Sequence, residues 1–239
     1  MPVFVISDLH LSSDTTKSME VFGPRWRNYM SRLEQNWNKV VGENDTVIIP
    51  GDISWALTLE GALPDLFFLD RLHGKKIIGK GNHDYWWSTQ KKIKEFFESN
   101  RISTIDILYN NAHVAGEIVI CGTRGWYNEQ SRPQNENQPD YAKIINREAI
   151  RLRLSITAAE PLAKETGYPL VAFFHFPPVW NEFVCRELVD ILHEHNIKKC
   201  YYGHIHGYYG PESKFVFEDV TFQLVSSDFL DFMPVPVRI

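Results

Sequence analysis

The chain has 239 residues, of which 44% are hydrophobic, so it is long enough and apolar enough to bury a sizeable core. We expect a single domain over residues 1–239. The formal net charge of -5 excludes the broad positive field that gripping nucleic acid without sequence preference requires. Bulk nucleic acid is therefore not an expected partner, although a local basic pocket for one phosphate is compatible with this charge.

Cysteine usage and hydropathy bear on the compartment. Cys121, Cys185 and Cys200 form no CxxC pair and stand beside apolar residues, which predicts reduced, mostly buried thiols. No apolar stretch approaches the roughly eighteen residues of a membrane helix, and no basic region precedes the first apolar run. We expect a cytoplasmic protein with no membrane partner.

The first part of the chain alternates strand and helix patterns. Continuous apolar runs at residues 2–6, 46–49 and 77–78 are typical of strands buried on both faces. Apolar residues at three- and four-residue spacing predict a helix from Trp26 to Val40, and a second begins behind Pro64 and ends before Gly74. The resulting β-α-β-α-β order indicates an α/β protein.

The second part continues with a helix around Ile93 and a strand pair at residues 112–114 and 118–121, joined at Gly116. Residues 127–140 are polar and contain two prolines, which predicts a surface loop; a lid over a site is the alternative. Later segments are a helix over 145–163, a strand over 170–174, a helix over 183–192, a strand over 199–202, antiparallel strands over 215–217 and 220–225, and a tail from 229 that packs or frays.

Polar residues with metal-binding or acid–base chemistry follow five of these strands. In open α/β sheets, ligand sites form beyond the carboxyl ends of the strands, so segments distant in sequence converge there. Asp8 and His10 have one residue between them, as do His204 and His206, so in an extended segment each pair points to one side. The full candidate set is Asp8, His10, Asp52, Asn82, His83, Asp84, His175, His204 and His206.

The residue types in this set point to a catalytic metal site. Nitrogen and oxygen donors without thiolate suit Mn, Fe, Zn or Co in a catalytic centre better than structural zinc. Two such ions about 3.5 to 4 Å apart can share a hydroxide and clamp a phosphate through attack and departure. One carboxylate, Asp52, can bridge the two cations.

The motif order D-x-H, G-D, G-N-H-D, H and G-H-x-H, from Asp8 to His206, resembles the calcineurin-like metallophosphoesterase superfamily. The context around Asp52 and Asn82 is similar to a compact bacterial branch known as predicted phosphohydrolases. The resemblance implies a four-layer α/β/β/α sandwich of two mixed sheets.

The resemblance also implies a role for each matching residue. One metal would take Asp8, His10, Asp52 and His206, and the other would take Asp52, Asn82, His175 and His204. His83 matches the acid that protonates the leaving group, and Asp84 matches the acidic residue that orients it.

We therefore predict a dinuclear-metal phosphohydrolase that cleaves phosphate mono- or diesters by attack of a metal-bound hydroxide, with small phosphate esters, nucleotides among them, as substrates. One alternative is a nuclease of the same superfamily, against which the acidic balance counts. The other is a non-catalytic module that keeps the fold for protein binding, but such a module has no reason to retain His83 with every ligand.

Two further features leave alternatives open. Arg124 either holds a substrate phosphate, which guanidinium suits, or is ion-paired or at the surface. The aromatic residues Tyr85, Trp86 and Trp87 either stack on a nucleobase or belong to the core, and the core is favoured. The remaining histidines match no motif and are expected to be structural or at the surface; they are His73, His113, His193 and His195.

Overall fold

The computed structural model describes residues 1–13, 19–127, 141–210 and 213–239. The helices are α1 (Tyr29–Val40), α2 (Leu63–Arg71), α3 (Gln90–Ser99), α4 (Tyr141–Thr166) and α5 (Arg186–Glu194), with short 3-10 turns at Met19–Phe22 and Pro24–Trp26. The strands are β1 (Val3–Val5), β2 (Thr46–Ile49), β3 (Lys75–Ile78), β4 (Ile105–Ile107), β5 (His113–Ala115), β6 (Ile118–Thr123), β7 (Leu170–Phe174), β8 (Val179–Trp180), β9 (Phe183–Val184), β10 (Lys199–Tyr202), β11 (Lys214–Phe217), β12 (Val220–Leu224) and β13 (Val235–Pro236).

Two large mixed sheets carry the fold. The first has the order β13-β1-β2-β3-β4, and only β13 runs antiparallel to its neighbour. The second has the order β11-β12-β10-β7-β6-β5, with a parallel centre of β12, β10, β7 and β6 and antiparallel edges. Strands β8 and β9 form a separate hairpin. The parallel strands put the carboxyl ends of each sheet along one edge, where a site can form.

Side-chain alternation along the strands builds three apolar layers. Phe4 and Ile49 point to a core that the first sheet shares with α1, α2 and α3. Val5 and Ile48 point the other way, into a layer that also contains Phe173 from the second sheet. A third core joins the second sheet to α4 and α5. Because both sheets are covered by helices on one face and by each other on the second face, the four-layer α/β/β/α prediction is confirmed.

Several elements differ from the sequence prediction. The helix predicted over 183–192 begins at Arg186, because Phe183 and Val184 form β9. Trp26 lies in a 3-10 turn before α1. The short strands β4, β8, β9 and β13 were not predicted, and the tail is held by β13 on β1 and by the fully buried Phe232. Strands of two or three residues carry too little periodicity to be recognised.

Other expectations concern the loop, the cysteines and the membrane. Residues 128–140 of the predicted loop, and with them the lid alternative, lie outside the described residues. All three cysteines are buried and free of disulfides, as predicted. Within the described parts of the chain, no helix combines the length and apolar character needed to cross a bilayer.

Candidate metal centre

The predicted site residues meet at the facing carboxyl edges of the two sheets. Asp8 and His10 follow β1, Asp52 follows β2, and Asn82 to Asp84 follow β3. From the second sheet, His175 follows β7, and His204 and His206 follow β10. Asp8, Asp52, His10 and His175 are almost entirely buried. The segments that follow the strands therefore lie together, as expected from the rule that ligand sites form beyond the carboxyl ends of strands (the strand-end rule).

Four of the predicted ligands adopt left-handed backbone conformations. The φ angles are 58° at Asp8, 46° at His10, 53° at Asp52 and 70° at His204. The sequence argument assumed extended segments, and that assumption is wrong. Each left-handed residue costs on the order of 1–3 kcal/mol and persists only where the surroundings impose it, which is typical of functional sites.

Two glycines let the backbone approach the carboxylates. A Cβ at Gly81 would overlap the Asp52 carboxylate, and a Cβ at Gly203 would overlap Asp8. The amide of His83 donates to Asp52 Oδ1 at 2.8 Å, and the amide of His204 donates to both Asp8 oxygens at 3.0 Å. Only glycine permits this spacing, and the amides favour the ionised carboxylates.

Asp8, His10 and His206 form the first of two groups whose potential ligand atoms converge, each within 4.8 Å of the others. The Nε2 atoms of His10 and His206 lie 3.1 Å apart, and His206 Nε2 lies 3.7 Å from Asp8 Oδ1.

The second group consists of Asp8, Asp52 and His175. His175 Nε2 lies 3.6 Å from Asp52 Oδ2 and 2.6 Å from Asn82 Oδ1, and its Nδ1 lies 3.8 Å from Asp8 Oδ1. Most of the predicted donors therefore face one small volume.

Asp52 lies between the two groups. Its Oδ2 is 3.6 Å from His10 Nε2 and 3.6 Å from His175 Nε2, which suits the bridging role that the sequence predicts. Asp8 also contacts both groups, so the structure offers two carboxylates for a bridging position. The bridging assignment stays a prediction.

The donor set fits divalent cations. Within the described residues, Asp52 Oδ2, His10 Nδ1 and His175 Nδ1 are buried without a hydrogen-bond partner. Buried polar atoms without partners are costly, and here they lie among nitrogen and oxygen donors that bind Mn, Fe, Zn or Co. A cation would satisfy the unpartnered oxygen at the centre of the cluster.

Burial sets the protonation of the cluster. It raises the pKa of Asp8 to about 6, and burial together with nearby Asp84 raises the pKa of Asp52 well above its usual value. Burial and the neighbouring imidazoles lower the pKa values of His10 and His175. Each shift disfavours the charged form, so the histidines stay neutral and able to bind metal, and a cation would reverse the cost of ionising the carboxylates.

Asp228 fixes the orientation of His206, and the sequence analysis missed it. Its Oδ1 lies 2.8 Å from His206 Nδ1, which leaves Nε2 facing His10 and Asp8. Burial works to lower the pKa of His206, but the hydrogen bond to Asp228 and the charges of Asp8 and Asp228 outweigh it and raise the pKa. Such partners set the tautomer of metal-binding histidines. Asp228 follows the carboxyl end of β12, so the same strand-end rule could have found it.

His204 joins the cluster through its backbone, since its amide donates to Asp8. Its ring centre lies 5.3 Å from the His175 ring and 4.4 Å from the Phe176 ring. Among the described residues, His204 belongs to neither of the two close groups. Its assignment as a ligand therefore stays a prediction.

His83 lies beside the first group without joining it. Its ring centre is 5.6 Å from the His10 ring and 4.3 Å from the Trp55 ring. Its Nδ1 is buried without a hydrogen-bond partner in the described chain, and burial lowers its pKa. This position suits a group that exchanges a proton with a molecule bound at the cluster.

Among the described residues, Asp84 makes no hydrogen bond to the His83 ring, and its role in orienting His83 stays a prediction. Its fully buried carboxylate instead accepts hydrogen bonds from four backbone amides and one indole. The donors are Gly81 N at 2.7 Å, Ile53 N at 2.8 Å, Asp52 N at 2.9 Å, Ser54 N at 3.3 Å and Trp86 Nε1 at 3.0 Å. Because these donors occupy both oxygens, Asp84 holds the loop after β2 against the loop after β3.

The remaining candidates divide between core, surface and ion pairs. Trp86 is buried in the first core, whereas Tyr85 is exposed. Arg124 Nη2 lies 3.6 Å from Glu148 Oε1, so it is ion-paired. The four unassigned histidines contact other groups: His73 and His113 contact backbone carbonyls, His193 contacts Glu218, and His195 contacts Glu160.

Replacing the central carboxylate should remove metal. We expect Asp52→Asn to lose most of the bound cations, because a neutral amide leaves two positive ions mutually unscreened in a buried pocket. Elemental analysis after equilibration with Mn²⁺ measures this, with Asp190→Asn on the exposed surface of α5 as the matched control. Two full equivalents retained by Asp52→Asn would contradict the bridging role.

The chain is similar to one protein family and to several solved structures. The family model described as calcineurin-like phosphoesterase matches residues 1–208. No curated protein matches the chain. The solved structure of TT1561 from Thermus thermophilus is 10% identical with a TM-score of 0.55, over 99% of this chain and 97% of that one. AQ665 from Aquifex aeolicus, a protein of unknown function, is 16% identical with a TM-score of 0.49, over 98% of this chain and 95% of that one.

Proposed function

Because the chain belongs to the calcineurin-like phosphoesterase family, we propose that it is a hydrolase that cleaves phosphate mono- or diesters with the help of two divalent cations. The observation that carries this proposal is the convergence of two donor groups on one buried volume, with Asp52 Oδ2 unpartnered between them. The choice of metal among Mn, Fe, Zn and Co stays open, and a cytoplasmic location stays a prediction.

The residues would divide as follows. Asp8, His10, Asp52 and His206 would hold one cation, and Asp52, Asn82, His175 and His204 would hold the other. When bound, such a pair lowers the pKa of water and neutralises charge on the phosphoryl group. The chain itself holds these residues in place. Several ligands have a left-handed backbone conformation, backbone amides donate hydrogen bonds to Asp8 and Asp52, and Asp228 forms a hydrogen bond with His206.

His83 would supply the proton that the departing oxygen needs. Its ring stands next to His10 and is flanked by Trp55, so it faces the cluster from the side. Its unpartnered Nδ1 leaves the ring without a hydrogen bond to the described chain that would commit it to another task. A positioned imidazole of this kind typically contributes about 10² to 10⁴-fold.

A reconstitution experiment tests the proposal. Metal-stripped protein should be inactive, and Mn²⁺, Zn²⁺, Fe²⁺ or Co²⁺ should restore turnover on a panel of aryl and alkyl phosphate mono- and diesters. The panel also separates the alternatives. A nuclease would prefer oligonucleotides, with strongly salt-dependent binding. Lack of turnover on every ester by protein loaded with two metal equivalents would contradict the enzyme proposal and favour a non-catalytic module.

A further inference from the structure

Four cationic side chains line one groove of this acidic protein. The groove, of about 270 Å³, is lined by Lys80, Arg124, Arg147 and Arg151 together with Trp87, Ser88, Thr89 and Tyr109. The chain carries a net charge of -5, so this concentration of positive charge runs against the overall balance. We call this feature the basic groove. Local surplus charge of one sign marks a place where a ligand of the other sign accumulates.

Among the described residues, the ion pairs of these cations all go to one carboxylate, that of Glu148. Glu148 is fully buried behind the groove arginines, and its Oε1 is 2.6 Å from Arg151 Nη1, 3.5 Å from Arg147 Nε and 3.6 Å from Arg124 Nη2. Its Oε2 accepts a hydrogen bond from Thr123 Oγ1 at 2.7 Å. Glu148 thus forms a close charge-assisted bond to only one of the three guanidinium groups.

The other donors in the groove have no such bond. Arg124 Nε is buried without a hydrogen-bond partner in the described chain. Lys80 makes no ion pair among the described residues, and the Arg147 side chain is 52% exposed. One arginine is enough to neutralise the single charge of Glu148, so the four cationic side chains of the groove carry a surplus of positive charge. Donors held close together against mutual repulsion fit a bound anion.

The basic groove adjoins the metal centre. Arg124 lies close enough to Asp52 and His175 to interact with both electrostatically. Lys80 immediately precedes the Gly81 to Asp84 turn, which carries Asn82. A substrate whose reacting phosphate lies at the cluster could therefore extend another group into the groove.

We propose that the basic groove binds a second phosphate group of the substrate, so that the preferred substrates are phosphate esters that carry two phosphates. This inference rests on the proposed function. Arginine forks match phosphate oxygens in pairs, and several are available here. The groove is also short, which suits one terminal phosphate rather than a nucleic-acid backbone, whose binding needs an extended basic track.

Two ligands that differ only in a second anionic group test the proposal. Propylphosphonate and 1,3-propanediphosphonate are not hydrolysed by phosphoesterases, so their affinities for the full-length, metal-loaded protein can be measured by titration calorimetry. We expect the diphosphonate to bind at least about tenfold more tightly than the monophosphonate, because its second group gains charge-assisted hydrogen bonds. Equal affinities would overturn the proposal.

Matched variants test whether the tighter binding of the diphosphonate comes from the basic groove. Arg147→Gln should weaken diphosphonate binding about tenfold and leave the monophosphonate unchanged, because only the second group reaches Arg147. Arg153→Gln removes the same charge from the same helix, outside the groove, where Arg153 pairs with Glu194, and it should change neither affinity. Lys80→Gln is the second groove variant should Arg147→Gln fold poorly. Equal effects of Arg147→Gln and Arg153→Gln would overturn the assignment.

A metal-free arm separates this inference from the proposed function. Metal-free protein, checked for a native circular dichroism spectrum, is titrated with pyrophosphate. We expect pyrophosphate to bind in the groove, and we expect Arg147→Gln or Lys80→Gln to weaken this binding. Trp87 lines the groove and adds a fluorescence signal for occupancy. Failure of the groove would appear as affinities insensitive to these variants, whereas failure of the proposed function would appear as no turnover of any ester with metals bound.

Discussion

Asp84→Ala should lower the free energy of unfolding by at least about 4 kcal/mol, the largest stability loss that we expect from any single substitution at the site. The change leaves five buried donors without their acceptor, four of them backbone amides at the loops after β2 and β3. Each buried donor left without an acceptor costs about 1–3 kcal/mol, part of which the loops recover by rearranging.

Urea denaturation of metal-free protein measures the loss, so that metal release does not contribute to it. Asp190→Ala, at the exposed surface of α5, is the control and should change the free energy of unfolding by less than about 0.5 kcal/mol. A residue that only oriented His83 would, when replaced, alter turnover with little change in stability. A stability loss below about 1 kcal/mol for Asp84→Ala, together with lower turnover, would therefore favour the orienting role over the structural one.

Asp84 shows why some contacts of the site could not be predicted from the sequence. The position of Asn82, His83 and Asp84 after a strand was predictable, because an apolar run followed by Gly81 marks the end of a buried strand. Three of the five partners of the Asp84 carboxylate were not predictable, because they are backbone amides of residues 52–54, and every residue type except proline has such an amide. Only the register of β2 against β3 brings those amides to Asp84.

The fold, like the site, was predictable from the sequence only in part. Central strands such as β2 and β10 coincide with the predicted runs, because strands buried on both faces need continuous apolar sequence. The edge strand β4 has the sequence Ile-Asp-Ile, too short to stand out from a loop. The left-handed conformation at Asp8 and His10 was equally hidden, since tertiary contacts impose it rather than local sequence.

The clustering of charged side chains in space also cannot be predicted from the composition. The net charge of -5 predicts no general basic surface, but it says nothing about where Lys80, Arg124, Arg147 and Arg151 lie. Lys80 follows β3, Arg124 follows β6, and the other two belong to α4. Packing of α4 on β6 brings Arg147 and Arg151 to Arg124 around Glu148.

His83→Gln should reduce turnover of alkyl phosphate esters by about 10² to 10⁴-fold while keeping the fold and both metals. In the structure, the His83 ring stands beside His10 but belongs to neither of the two close donor groups of the described residues. Its backbone amide, which donates to Asp52, is kept by any substitution except proline. The variant therefore removes a titratable ring and little else.

The size of the loss should depend on the leaving group. An alkoxide departs poorly and needs a proton in the transition state, whereas nitrophenolate departs without one. We expect a large loss on alkyl phosphates and a loss of less than about tenfold on nitrophenyl phosphates, measured as kcat at matched metal content. His195→Gln, which replaces a histidine paired with Glu160 away from the site, is the matched control and should leave both rates unchanged.

This comparison separates three roles that a histidine at position 83 can have. A proton donor gives the leaving-group dependence just described, with metal content intact. A residue that binds the phosphate itself would lower both rates equally, because both esters present the same phosphoryl group. A metal ligand would lower both rates together with the cation count from elemental analysis. Equal losses on both esters at full metal loading would thus exclude His83 as the acid, even though its position beside His10 suits that task.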